Sequence, residues 1–333
     1  MNVNRTWTLL IVAVAVIGGV YAITVWQRSR ETRRLLDDLR SPDHAVAAEA
    51  MTSLRDRVRA VREQLMEMAT PGQGPARWRS LTLLGEAGDA ASRDALMAAL
   101  QADDPAVQAA AATALAQRNV RGAADRIAML ASAEEAPMSV RVAAVRALQH
   151  LRTGTHLAEM SRLATDRPPP PPPEPEEGEE EAEPAEAGEV VEEWSDETVE
   201  LRIEAVRAVA ILGASAKADA SGGRSPALNA ADILAEASSP REHDDEVRQA
   251  ACYALIDLAQ MQMDDEVEAS AIHALLRAAG DEVGDVRIAA IHGLKLIPTP
   301  AEQAEAVDRA LEDALGDDHY WVRVAAGEEP IGG

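Results

Sequence analysis

The sequence predicts an all-α fold, a solenoid of stacked helix pairs preceded by one transmembrane helix. An amphipathic phrase that recurs along the chain indicates the helix pairs, and an uncharged apolar run near the amino terminus indicates the transmembrane helix. Apolar residues recur at helical rather than alternating spacing, which argues against strands. Phe is absent from the 333 residues, so we expect a buried layer of Ala, Leu, Val, Ile and Met.

The first predicted element is an apolar run without any charged residue, bounded by Trp7 and Trp26. A helix of this length would be about 30 Å long, which matches the thickness of a hydrocarbon core. Indole rings at both ends, followed directly by Arg28 and Arg30, are typical of the membrane interface. The sequence therefore predicts a membrane anchor in residues 1–30, with the membrane contacted through residues 7–26.

A cleaved signal peptide is the alternative interpretation of this run. Val20 to Ala22 would supply a small-residue cleavage site, but the apolar residues continue past it to Trp26, which favours an uncleaved anchor. More arginines follow the run than precede it, which favours a cytoplasmic location for the rest of the chain. The composition is typical of bacteria, so we predict a single-pass protein of the bacterial inner membrane. A periplasmic domain is the alternative.

The rest of the chain repeats one short sequence pattern, which we call the phrase. It begins with an apolar residue, usually followed by Arg, continues with small residues and ends with an apolar residue. Residues 140–148 read VRVAAVRAL, for example. Successive copies start 29 to 61 residues apart, the period of a two-helix solenoid unit. We predict repeats in residues 31–167 and 197–326, with a C-terminal tail at 327–333. The eight copies start at Val46, Trp78, Val107, Val140, Leu201, Val247, Val286 and Val322.

An insertion with a different composition, residues 168–196, interrupts the array. Six prolines lead into an acidic run, and thirteen acidic residues lie between Glu174 and Glu197. Such a segment extends, repels itself and buries little, so we predict a disordered insertion. Two interpretations stay open: a docking site for a partner, or a spacer. Trp194 is a candidate docking residue because it is a large apolar side chain among acids, with packing on the next repeat as its alternative.

Aspartates stand just ahead of several copies of the phrase. An Asp before an apolar helical period accepts hydrogen bonds from free backbone amides and meets the positive end of the helix dipole. We therefore predict N-caps rather than catalytic or calcium-binding pairs, since none has the spacing of a calcium loop. The predicted caps are at Asp103 and Asp104, at Asp244 and Asp245, at Asp285, and at Asp317 and Asp318.

The phrase, the acid before it and the amphipathic helix after it resemble the HEAT-like repeats of the phycobilisome-lyase type, with an ARM-type fold, over about residues 35–326. The resemblance implies a right-handed superhelix of about eight antiparallel helix pairs. It also implies an inter-repeat ladder, in which the repeated Arg and the preceding Asp link adjacent repeats. Ala47 and Gln108 depart from this pattern, so we expect interruptions there. The ladder residues would be Arg79, Arg141, Arg202, Arg248, Arg287 and Arg323.

Two groups of HEAT-like proteins suggest the alternative function, an accessory or divergent member of an enzyme group. Deoxyhypusine hydroxylases are oxidoreductases that hold two irons with His-Glu dipeptides, and bilin lyases attach pigments to cysteine. No His in this sequence is followed by Glu, and the single Cys252 occupies an apolar helical position that is typical of a core residue. We predict no catalytic residues, no metal site and no cofactor.

The excess of acidic over basic residues disfavours some classes of binding partner. There are 57 acidic residues against 32 Lys and Arg, with a formal net charge of -25, which disfavours nucleic acid. No nucleotide-binding or hydrolase motif is present, and no small-molecule substrate is evident. We predict a membrane-tethered scaffold for protein-protein interaction whose partner is a basic or neutral protein.

Overall fold

The computed structural model describes most of the chain. In this part every regular element is a helix, and none of these helices combines the length and apolar character needed to cross a membrane. Most of the predicted anchor, including Trp7, lies outside the described residues, as do Trp194 and nearly all of the acidic insertion. The described residues are 19, 22–24, 26–165, 196–216, 224–242 and 244–330.

The chain divides into two compact units, Met1–Arg118 and Asn119–Gly333. In the first unit, neighbouring helices pack around fully buried leucines, among them Leu39, Leu54 and Leu84. Its helices are α1 (residues 26–38), α2 (His44–Arg55), α3 (Arg62–Met68), α4 (Pro75–Ala87), α5 (Ala90–Ala99) and α6 (Pro105–Gln117).

Small side chains let the helices of the first unit approach closely. A Cβ atom added at Gly85 of α4 would lie 2.8 Å from the Cβ atom of Ala114 on α6. A larger residue at position 85 would therefore push the two helices apart. This close approach agrees with the Ala-rich core that the sequence predicts.

The second unit continues the same alternation of helices. Two short 3-10 turns, Arg121–Ala123 and Gly154–His156, lead into α7 and α9. The described helices are α7 (Ala124–Ser132), α8 (Met138–Leu151), α9 (Leu157–Thr165), α10 (Asp196–Ser215), α11 (Pro226–Ala237), α12 (Asp245–Gln262), α13 (Asp265–Ala278), α14 (Gly284–Leu296), α15 (Ala304–Leu315) and α16 (Tyr320–Ala326).

Helices α8, α10, α12, α14 and α16 contain the repeated phrase and pack on one another in succession, so we call them the phrase layer. Helices α7, α9, α11, α13 and α15 form the second layer against it. Apolar phrase positions lie between the layers, where Val247, Leu255 and Leu258 are fully buried. Cys252 is buried there too, as its helical position predicts, and burial raises the pKa of its thiol to about 12.

The predicted aspartate caps are confirmed in two places and wrong at Asp285, and at Asp317 the predicted amide contact forms one residue before the helix. Asp104 and Asp244 accept hydrogen bonds from the amides of Ala106 and Val247 at the starts of α6 and α12. Asp285 instead lies inside α14, whose N-cap residue has no side-chain cap bond. The N-cap residue of α16, His319, makes no side-chain cap bond, but Asp317 accepts a hydrogen bond from the His319 amide at 2.7 Å and also binds Arg287.

Candidate protein-binding surface and arginine ladder

Arginines at the second phrase position bind acids in the loop before the next phrase helix. Arg248 donates from Nε and Nη2 to the two carboxylate oxygens of Asp281, at 2.9 Å each. Arg287 makes the same bidentate contact with Asp317, at 2.8 Å each. Such paired bonds fix orientation as well as distance, so each arginine sets the position of the next phrase helix.

Three loop acids, Glu242, Asp281 and Asp317, also accept a hydrogen bond from a second arginine through their backbone carbonyl. The Glu242 carboxylate accepts two bonds from Arg202, and its carbonyl accepts one from Arg248 at 2.8 Å. The carbonyls of Asp281 and Asp317 accept bonds from the following arginines, Arg287 at 2.9 Å and Arg323 at 2.8 Å. The contacts therefore run without a break from α10 to α16.

These ion pairs are shielded from water to different degrees. The side chains of Arg248 and Asp281 are almost completely buried, whereas those of Arg287 and Asp317 are each 13% exposed. The hydrogen bonds from Arg287 hold the pKa of Asp317 below its usual value, and the same bonds raise the pKa of Arg287. If either charge lost its partner, the unpaired buried charge would destabilise the fold by far more than the intact pair stabilises it.

The other two predicted ladder residues make different contacts. Arg79 of the first unit, 1% exposed, donates to the backbone carbonyls of Leu39 and Ser41 at 2.9 and 2.7 Å. Arg141 of the second unit donates to the carbonyl of Ala131 at 3.1 Å. The buried N–H groups of Arg79 therefore donate to main-chain oxygens rather than to a carboxylate.

The phrase layer of the second unit presents a row of exposed side chains. The seventh phrase position contributes Arg146, Arg207, Tyr253 and His292, one each from α8, α10, α12 and α14, and all four are exposed. Because these helices pack on one another in succession, the four side chains lie in the same layer, one on each helix. We call these four residues the exposed row.

Charged contacts organise one end of the exposed row. Arg146 binds Glu200 at 2.8 Å and Glu204 at 3.1 Å, and Arg207 binds Glu204 at 3.0 Å. Gln149 donates to the carbonyl and the carboxylate of Glu204. The carboxylate of Glu204, which is almost buried, thus joins α8 to α10 beneath the two arginines.

Exposed aromatic side chains lie on two of the later phrase helices, α12 and α16. Tyr253 is 42% exposed and Trp321, on α16, is 58% exposed. Partial burial raises the pKa of Asp257, one turn beyond Tyr253, although the charge of Arg207 acts in the opposite direction. Exposed aromatics beside such groups are typical of protein interfaces. Sequence reasoning missed Tyr253, which stands at the seventh phrase position, and Trp321, which directly precedes the last copy of the phrase.

The predicted membrane-interface residues that the structure describes lie at the start of α1. Trp26 is 58% exposed, and the guanidinium carbon of Arg30 lies 4.6 Å from the centre of its ring. Arg28 lines a cavity between α1 and the turn after α2. Within the described ranges, no group of three or more His, Cys, Asp and Glu side chains is arranged to hold a metal ion.

Comparisons with known proteins support the fold. The family model described as HEAT repeats matches residues 62–149, and no curated protein sequence matches the chain. A chain from the structure of Kap95p bound to RanGDP is 14% identical, with a TM-score of 0.57 over 90% of this chain and 38% of that chain. The chain thus has a HEAT-repeat α-solenoid fold.

Other solved structures align with less similarity. An engineered protein is 18% identical, with a TM-score of 0.45 over 89% of this chain and 76% of that chain. The CpcE and CpcF complex of phycocyanin lyase from Nostoc sp. PCC7120 is 15% identical, with a TM-score of 0.38 over 85% of this chain and 94% of that chain.

Proposed function

We propose that this protein is a membrane-tethered scaffold that binds another protein and has no catalytic activity of its own. The binding surface is the exposed row of the second unit together with Trp321, which is exposed on the next phrase helix, α16. The observation that carries the proposal is the presence of exposed aromatic and charged side chains on helices that are fixed by buried ion pairs. The HEAT-repeat fold supports it, since stacked helix pairs provide extended binding surfaces.

The physical reason is preorganisation. Binding costs less when the contact residues are already held in place, and the ladder holds the phrase helices at their loop ends. Tyr253 offers a large, stiff side chain that loses little entropy in an interface. Arg207 on the adjacent helix α10 and Asp257 one turn further along α12 supply charges for orientation. The row therefore combines an aromatic anchor with a polar rim.

The sequence supports the tether and the class of partner. Residues 7–26 are uncharged and apolar, and arginines follow them, as expected for an anchor whose large domain is cytoplasmic. The net charge of -25 favours encounter with a basic or neutral protein. The scaffold would thus hold such a partner at the bacterial inner membrane.

Site-specific photo-crosslinking in the native cell tests the binding surface. A photoreactive residue replaces Tyr253 in the full-length chain, and the matched control replaces His273, which is exposed on α13 of the second layer. We expect a discrete protein adduct from position 253 and none from position 273. Adducts from position 273 alone, or from neither position, would contradict the proposed surface.

Membrane fractionation tests the tether separately. We expect the full-length chain to stay in the membrane fraction after alkaline carbonate washing and a variant without residues 7–26 to be released. Protease added to intact spheroplasts should leave a cytoplasmic domain intact, whereas digestion would place it in the periplasm. Release of the full-length chain by carbonate would rule out an anchor.

Two further measurements address the insertion and the enzyme alternative. Deletion of residues 168–196 abolishes the adduct at position 253 if the insertion helps dock the partner and leaves it unchanged if the insertion is a spacer. Elemental analysis and absorption spectra of the purified chain test for metal and pigment. Stoichiometric iron or a bound pigment would reopen the hydroxylase-like or lyase-like function.

A further inference from the structure

A cationic cavity lies next to the end of the apolar run. It occupies about 780 Å³ between α1 and the turn that joins α2 to α3. Arg28 and Arg33 line it from α1, and Arg57 lines it from the turn. Ser29, Thr32 and Gln64 add hydrogen-bonding groups. Three guanidinium groups thus share one cavity with neutral polar side chains.

The positive charge of the cavity is not balanced by its own acids. Arg57 binds Glu31 through Nη2 at 3.1 Å, but its Nη1 is buried without a hydrogen-bond partner in the described part of the chain. Arg28 and Arg33 form no ion pair with any described acid. Among the described lining residues, Asp56 is the one acid. The cavity is therefore suited to an anion.

We propose that this cavity binds the phosphate of an anionic phospholipid headgroup. Guanidinium groups match phosphate oxygens with paired bonds, and hydroxyl groups complete the set of donors. Arg28 is two residues after Trp26, a helical rise of about 3 Å. The cavity therefore lies at headgroup depth, an inference that rests on the proposed tether.

The rest of the chain is acidic, so a local cationic site would offset its repulsion from an anionic membrane. A net charge of -25 repels an anionic membrane surface, whereas basic residues beside a span attract anionic lipid. A lipid phosphate held in the cavity would fix the first unit at the membrane despite that repulsion.

The test is a titration of the purified full-length chain in a zwitterionic detergent, followed by native mass spectrometry. The probes are dihexanoyl phosphatidylglycerol, dihexanoyl phosphatidylcholine and inorganic phosphate. The variant R28Q/R33Q removes two exposed arginines from the cavity. The control R55Q/R93Q removes two arginines of the first unit that do not line the cavity.

We expect the wild-type chain to prefer the phosphatidylglycerol probe over phosphatidylcholine at least tenfold. Because each arginine contributes about a fivefold effect, R28Q/R33Q should lose at least tenfold in affinity for that probe, and the control should stay within twofold of wild type. Arg57→Lys, which keeps the charge and loses the guanidinium fork, should weaken binding several-fold.

Three outcomes would overturn the proposal. They are equal affinity for the two lipid probes, an equal loss in the control variant, and binding of inorganic phosphate as tight as that of phosphatidylglycerol, which would assign the cavity to free phosphate. The probes are soluble, so binding does not require insertion into a bilayer. Carbonate extraction tests the tether independently, and the two failures are therefore distinguishable.

Discussion

The two units contain the same phrase, but Arg79 of the first unit and Arg248 and Arg287 of the second make different polar contacts. In the second unit, Arg248 and Arg287 bind carboxylates of the following loop and carbonyls of the preceding loop. In the first unit, Arg79 donates hydrogen bonds to backbone carbonyls. An arginine in the phrase is therefore not sufficient for the ladder, which also requires an acid in the next loop.

The position of that acid explains the difference. Glu242, Asp281 and Asp317 each stand five residues before the next phrase starts, at Val247, Val286 and Val322. The corresponding residue before Val107 in the first unit is Ala102, which has no carboxylate. Ala47 and Gln108 also replace arginine there.

The largest expected effect comes from breaking the most buried pair. Arg248→Met leaves the carboxylate of Asp281 buried and unpaired, which we expect to cost about 3–5 kcal/mol. Hydrogen exchange of α12 and α14 in the full-length chain measures the loss. The double variant Arg248→Met/Asp281→Leu should recover most of the protection. If it does not, lost packing rather than the orphaned charge accounts for the effect.

A matched substitution in the first unit should cost less. Arg79→Met leaves the carbonyls of Leu39 and Ser41 without their donor but leaves no charge unpaired, so we expect a loss of about 1–3 kcal/mol. The same exchange measurement on α2 and α4 checks it. If Arg79→Met and Arg248→Met lost equal stability, the ion pair with Asp281 would contribute no more than hydrogen bonds to carbonyls.

The partly exposed pair should make the second unit sensitive to acid. Bonds from Arg287 lower the pKa of Asp317 in the folded state, so this stabilisation is complete above the unfolded pKa of about 4 and is lost as pH falls through the lower folded pKa. We expect exchange protection of α14 and α16 to fall below about pH 4. Arg287→Gln should flatten that dependence, and an unchanged profile would contradict the assignment.

The smallest expected effect comes from adding the missing acid to the first unit. Ala102→Asp places a carboxylate five residues before Val107, within the loop that follows the helix pair of Arg79. We expect a gain of about 0.5–1.5 kcal/mol, the net value of one added hydrogen-bonded contact. Thermal unfolding checks it, with Ala102→Asn as the uncharged control. No gain over the control would mean that Arg79 does not reach this loop.

The sequence predicted the fold well because one phrase recurs with helical spacing. Its apolar positions, such as Val247 and Leu255, are the buried ones, since periodic burial depends on local pattern alone. The cap at Asp285 was wrong because the loop geometry starts α14 one residue earlier, at Gly284. Contacts between positions 30 to 40 residues apart depend on how repeats stack, which local pattern does not specify.

The candidate surface was less predictable than the fold. Tyr253 and Trp321 become interpretable as exposed anchors only when the packing of successive phrase helices is known. The cationic cavity likewise needs the turn at Arg57 to approach α1. Such contacts join residues that are distant in sequence. Composition alone predicted only the acidic character of the chain and the class of partner.

A photo-crosslinking scan of the seventh phrase position tests the central claim most directly. The scan places one photoreactive residue at a time at exposed positions in each unit of the full-length chain in the native cell: Thr52 and Thr113 in the first, and Arg146, Arg207, Tyr253 and His292 in the second. The account predicts one protein adduct from the second unit, strongest at position 253. Equal adducts from both units, or none from position 253, would contradict it.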